Sequence, residues 1–387
     1  MSVLIEPIKG EFKASDTMMG LLGGFAFAAF YATLGLPIAR LADRGDRKLV
    51  ISVSMAIWSV TTLLCGVARS FPELVLARVG VGAGEAGAMP PAQSLIADYF
   101  PPAQRARALG VLIASSTVGY LVAFSAGAWL AAAHGWRSAF IALGAPGVIL
   151  CALTILGLRE PRRQLARPKQ TKQEPLRSTL AALVGKRSFV LLCVAATLYW
   201  LVAYGAVIWF PAYLVRVLHL NLVTVGAVFG GLGAIAALVG SVAGGFVTDV
   251  LTKKNAAYAA RVPAGILVGV VPVYELAMIS NAPVMFYAAT FVGALGLSAA
   301  VPAFFTLLHR ICGSGRRATA VAILFFFGNL VGLGFGPVIT GAMSDRFSAA
   351  YGAVGLRYAI MISLLALAPS GLVLWAAAKS VPKDTEA

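Results

Sequence analysis

Apolar stretches of about 19–27 residues fill most of the chain, separated by short polar punctuation. Eleven can be read, at roughly 17–39, 49–68, 73–97, 107–132, 138–158, 189–213, 222–248, 262–280, 284–308, 318–343 and 355–378. Each is long enough, as a helix, to cross a ~30 Å hydrocarbon layer. An outer-membrane barrel would instead alternate in stretches of ~10 residues. One long gap breaks the rhythm, Arg159–Arg187, rich in Arg, Lys, Gln and Pro. It reads as a solvated linker. The pattern predicts an all-α membrane protein with an amino-terminal bundle (1–158), a linker (159–187), a carboxyl-terminal bundle (188–378) and a tail (379–387).

Composition strengthens this picture and narrows function. Of 387 residues, 59% are hydrophobic and only 12% charged, and the mean hydropathy is +0.86. A soluble enzyme or nucleic-acid binder is excluded. The net charge of +16 is explained by topology, because Lys and Arg collect in cytoplasmic loops. When the loops are assigned alternately to two sides, twenty-three of the 31 basic residues fall on the side of the linker and tail, and seven on the other. The linker and carboxyl terminus are therefore expected in the cytoplasm. Cys65, Cys151, Cys193 and Cys312 are isolated, as are His134, His219 and His309. That spacing supports neither a disulfide framework nor a metal site, and no cofactor is implied. Met1–Phe12 lacks the basic start and apolar core of a signal peptide.

The two halves echo each other. Asp43 is followed by Arg47 and Lys48, and Asp249 by Lys253 and Lys254, at an offset of 206. Pro91-Ala92 with Arg105 is matched by Pro302-Ala303 with Arg316, at an offset of 211. Parallel repeats of this kind relate the halves of major facilitator transporters. The loop carrying Asp43, Arg44, Arg47 and Lys48 resembles the major facilitator motif Gly-x-x-x-Asp-Arg-x-Gly-Arg-Arg, with Ala39 and Asp46 departing from its glycines. The run from Arg78 through Gly84-Glu85-Ala86, Pro90, Pro91, Ser94 and Asp98 to Phe100-Pro101 is similar to the Spinster branch of that family. So is Trp209-Phe-Pro211-Ala-Tyr213-Leu-x-Arg216.

The resemblance implies two bundles of six helices, and a chain that starts short of the family's first helix. No position here matches the Asp-Arg pair that Spinster-like proteins carry there. It also implies alternating-access transport, coupled to protons, of a lipid-like or amphipathic organic solute by a monomer in a bacterial inner membrane. Small organic anions or drugs are the rival cargo, and a non-transporting sensor or scaffold the rival class.

Ionisable residues inside apolar spans are the first candidates, because charge at bilayer depth is costly and marks function. Arg78 and Glu85 share a helix face, two turns apart. A carboxylate removed from water holds its proton more tightly, which suits Glu85 to proton coupling or substrate contact. Arg78 suits a substrate anion. The repeat places Ala289 and Gly296 at the corresponding positions, so the fold does not demand charge there. Asp43, Arg44, Arg47, Lys48, Asp98, Asp249, Lys253 and Lys254 are read as a conformational latch. Tyr31, Tyr120, Tyr199, Trp200, Tyr204 and Asn329 are read as cavity-lining, and Gly336-Pro337 as a helix hinge. Gly82–Gly87 spells GxGxxG inside a span. Without a preceding strand it is read as helix packing rather than a dinucleotide loop.

Overall fold

The computed structural model describes residues 1–161, 176–280, 282–313 and 316–386; the side chains of Asp43 and Arg44 lie outside the described residues. The spans begin and end where the sequence punctuates them. Ser70 caps α5 (Phe71–Glu85), its hydroxyl accepting from the Glu73 amide, with Pro72 in the first turn. Asn221 caps α11 (Leu222–Lys254) by accepting from the Thr224 amide. Asp46 does the same for α4 (Arg47–Val67). Each cap satisfies an amide that the helix itself leaves open. Lys253 and Lys254 close α11, where cations complement the helix dipole.

The first span is α2 (Asp16–Gly20), a π-helical turn at Leu21–Phe25 and α3 (Ala26–Arg44). After α4 and α5 come α6 (Met89–Tyr99), α7 (Pro102–His134) and α8 (Trp136–Gly157). Beyond the linker lie α10 (Arg187–Arg216), α11, α12 (Tyr258–Ile279) and α13 (Pro283–Cys312). Then follow α14 (Arg317–Phe327), a second π-helical turn at Gly328–Leu333, α15 (Gly334–Tyr351), α16 (Gly355–Leu365) and α17 (Leu367–Ala377). Among the described residues nine helical stretches are long and apolar enough to cross a membrane, the last of them Thr319–Ala377. That stretch turns back at Gly352–Val354 and makes two passes. The broken pair α5–α6 makes one more, which recovers all eleven expected spans.

Four details correct the sequence reading. Residues before 17 are not a plain loop: α1 (Ile5–Phe12) and a turn at Ser2–Leu4 are helical. Ile5 and Ile8 are fully buried, in a piece too short to register as a span. The third span is broken at Ala86–Ala88, where Gly84, Gly87 and the Pro90-Pro91 pair interrupt a regular helix. The linker is not wholly solvated, since α9 (Leu176–Val184) buries Thr179 and Leu183. Residues 162–175 of it lie outside the described residues. The tail forms α18 (Val381–Glu386) and docks. Its Asp384 carboxylate accepts from the Ser188 amide at 2.8 Å and from the Ser188 hydroxyl. Lys186 Nζ donates to the Asp384 carbonyl at 2.8 Å and the Ile311 carbonyl at 3.0 Å.

In the first part of the chain α4 packs on α5 and α8, and α3 on α5. In the second, α13 packs on α11 and α12, and α17 on α10 and α12. The two parts meet along α7–α11 and where α2 and its π turn lie on α15. Glycines permit the closest approaches. A Cβ at Gly82 would strike the Phe27 carbonyl oxygen, and one at Gly84 would sit 2.6 Å from the Trp58 nitrogen. The GxGxxG run therefore serves packing. The loops α3–α4, α6–α7, α11–α12 and α13–α14 share one end of the bundle with the linker and tail. The loops α4–α5, α7–α8, α10–α11, α12–α13 and α15–α16 share the other.

Candidate transport site

Glu85 is the last residue of α5, at the break before α6. At 1.5 Å per residue it lies ~21 Å in from Phe71, and Arg78 ~10 Å in. Glu85 retains accessible surface, and Arg78 is partly buried. Their charges reach one another, yet they form no ion pair. Arg78 is held instead by a ring face: its guanidinium carbon is 5.3 Å from the centroid of Phe27. Phe27 also stacks on Tyr31, with ring centroids 5.4 Å apart and planes 17° from parallel. Among the described residues, Arg78 Nε is buried without a hydrogen-bond partner. A guanidinium bound this way keeps donors for an anion, because the ring satisfies its charge and not its N–H groups.

A cavity of about 420 Å³ lies among α7 and α10–α13, lined mainly by apolar side chains. Tyr120 and Tyr199 line it, with Ser116, Thr117, Tyr274 and Phe291. Tyr199 donates to the Leu297 carbonyl at 3.0 Å, which fixes its ring. Trp200, Tyr204, Tyr31 and Asn329 are not in this lining. Trp200 packs on Phe325, with centroids 6.0 Å apart, and over Gly328 and Gly332. The Asn329 amide donates to the Phe325 carbonyl at 2.9 Å. Tyr204 and Tyr31 lie close enough to act on one another, and Tyr31 on Glu85.

At the linker end, Arg47 has a fully buried side chain. Its Nη1 is 2.6 Å from Asp98 and its Nη2 is 2.6 Å from Glu160. Nη1 also donates to Ser94 at 2.9 Å, and the Arg47 amide to Glu160 at 2.8 Å. The Tyr99 hydroxyl closes the corner, donating to the Arg159 carbonyl at 2.6 Å. Of the predicted latch, Arg47 and Asp98 thus meet, and Glu160 is the member that sequence reasoning missed. Lys48, Asp249, Lys253 and Lys254 are not brought into this cluster. Asp43 and Arg44 fall outside the described side chains.

The opposite end holds a second cluster, of which the Spinster-like motif supplied only Trp209 and Arg216. Arg216 grips Asp16 with two hydrogen bonds, at 2.7 and 2.8 Å, and Glu6 at 2.6 Å. Asp16 is 1% exposed and also accepts from Lys9 at 2.5 Å and Ser344 at 2.6 Å. The Asp345 carboxylate accepts from the amides of Asp16 and Thr17, both at 2.8 Å. Trp209 Nε1 donates to the Pro337 carbonyl at 3.0 Å. Gly336 and Pro337 sit in this packed region, within α15. The irregular turn that could flex lies just before them, at Gly328–Leu333. These bonds tie α1 and α2 to α10 and α15, across the two parts of the chain.

The Major Facilitator Superfamily profile matches residues 1–332. An MFS-type efflux pump of Mycolicibacterium smegmatis is 30% identical over 99% of this chain and 89% of its own. A cis,cis-muconate transport protein of Acinetobacter baylyi is 27% identical over 93% of this chain and 86% of its own. A crystal structure of a bacterial homologue of the human lysosomal transporter Spinster, inward-facing and unoccupied, superposes with a TM-score of 0.91. It is 30% identical and covers 99% of this chain and 93% of that one.

Proposed function

Because the chain belongs to the Major Facilitator Superfamily, and to its Spinster-like branch, we propose that it carries an amphipathic organic solute by proton-coupled alternating access. Membership makes it a multi-pass membrane transporter and not an enzyme. Two separate observations support the finer reading. Arg78 and Glu85 offer charge on the α3–α5 wall, and the cavity of about 420 Å³ offers an apolar wall. Its size falls within the range of small-molecule pockets. Each CH₂ moved from water into it contributes ~0.8 kcal/mol. Arg78, with an unpaired buried Nε, anchors an acidic or zwitterionic head. Glu85 takes up a proton in one state and releases it in the other.

The two bundles, 1–158 and 188–378, rock about this site as a monomer. The linker end faces the cytoplasm of a bacterial inner membrane. The cluster of Glu6, Asp16 and Arg216 closes the outer end, and the likeness to an inward-facing solved structure supports the same state here. The Arg47–Asp98–Glu160 cluster braces the inner end of the first bundle. The muconate transporter, together with the free donors of Arg78, favours a second reading in which the cargo is a small organic acid.

Uptake into vesicles separates the two readings. A lysolipid and muconate are offered to the reconstituted protein under an inward proton gradient. Gradient-driven lysolipid uptake is expected; uptake of muconate alone would favour the second reading. Glu85→Gln is expected to abolish the gradient's effect while the protein remains folded. Unchanged gradient dependence would remove Glu85 from the coupling.

A further inference from the structure

The loop motif occurs twice, and only its first copy is used by the cluster around Arg47. In the second copy Asp249, Lys253 and Lys254 are exposed, and none has a side-chain partner among the described residues. Four residues beyond Lys254, α12 begins at Tyr258, with Arg261 in its first turn. The Arg261 guanidinium carbon is 5.9 Å from the Tyr258 ring centroid and 5.9 Å from that of Trp375 on α17. Trp375 is 53% exposed and Leu372, one turn earlier, 64%. Below Arg261 on the same face, a Cβ at Gly265 or Gly269 would meet nothing within 4 Å, so this face is open to surrounding lipid. Lys379 is exposed one turn past Trp375.

We propose that this corner binds the phosphate of an anionic phospholipid. A planar cation held between two ring faces keeps its N–H edges outward, and those edges match a phosphate. Lys253 and Lys254 end α11 just before α12 and Lys379 follows Trp375 by one turn, so with Arg261 the chain brings four cations to this end of the bundle. Asp249 is the acid on the adjoining helix, and Asp384 on the tail is committed to Ser188. Aromatic rings at this level are typical of the membrane–water border. Basic pockets between helices on the cytoplasmic side hold lipid headgroups. The exposed apolar strip of Leu372 and Val268 continues toward the bilayer centre, where acyl chains lie and a free phosphate has no counterpart. The second copy of the motif thus serves the lipid, while the first serves the protein.

Native mass spectrometry of the purified chain tests this, with phosphatidylglycerol and phosphatidylcholine of matched acyl chains as probes. Preferential retention of phosphatidylglycerol is expected. Arg261→Ala and Lys253→Gln/Lys254→Gln should each weaken it, by about fivefold per charge removed. Arg261→Lys, which keeps the charge but not the flat fit, should fall between. A photoactivatable phosphatidylglycerol should label α12 and α17 in the unaltered protein, an arm that needs no variant to fold. Equal retention of the two lipids overturns the proposal. So does full selectivity in the folded triple variant, displacement by millimolar inorganic phosphate, or labelling confined to other helices.

Discussion

A single side chain can be costly to lose when it is buried and charged. Arg47 is fully enclosed, and Glu160 nearly so. Arg47→Met should therefore destabilise the protein by about 3–5 kcal/mol, because it strands the buried carboxylate. Thermal unfolding in detergent would measure this. Glu11 offers the opposite case. Hydrogen bonds from Arg137 and Trp136 hold its carboxyl below the usual range. A lowered folded value adds stability that is present above the ordinary carboxylate pKa. That stability is lost as pH falls through the lowered one. The protection of α1 amides against hydrogen exchange, with the pH dependence of the intrinsic rate divided out, should thus be steady from neutral pH down to about pH 4 and fall below it. In Glu11→Gln that acid step should vanish. Arg78 and Glu85 were legible in the sequence because charge stands out inside an apolar run. Glu160 and Asp16 were not, because each lies among other polar residues at a span boundary, and Arg216 stood in a motif that did not reveal its partners. Only the folded chain selects which opposite charge meets which.

Helices were legible wherever apolar length alone decides, and all eleven spans follow from it. The break at Ala86–Ala88 and the π turn at Gly328–Leu333 were not, since hydropathy runs on unchanged through both. The short helix α1 was hidden for the reverse reason: eight residues make no span, and their burial depends on neighbours distant in sequence. Small residues sort by what lies across from them. Gly244→Val should cost roughly 1–3 kcal/mol by overpacking, because its Cβ would collide with the Ala299 backbone. Gly119→Ala, in α7 with nothing within 4 Å, should instead stabilise by about 0.5–1 kcal/mol through helix propensity. Paired unfolding curves would check both.

Across the whole molecule, Arg216 carries ion pairs that cross between the two parts, at the end opposite the linker. The twofold echo in the sequence foretold paired bundles, but not which end would be sealed. That depends on partners some 200 residues apart. Asp16→Asn with Arg216→Gln should shift the population at least about tenfold toward opening at that end. Spin labels on the α7–α8 and α12–α13 loops would register this as a longer distance. An unchanged distance distribution would mean that packing of α2 on α15, and not charge, holds the seal.

The docking of Asp384 against Ser188 has a practical corollary. Fluorescent reporters are often spliced to the tail of carriers to follow their delivery to the cell envelope. A splice placed ahead of Val381 would strip the Ser188 amide, in the first turn of α10, of its acceptor and leave Lys186 without one of its two carbonyls. Dim cells carrying such a fusion would then report a poorly folded carrier and not a failure of export.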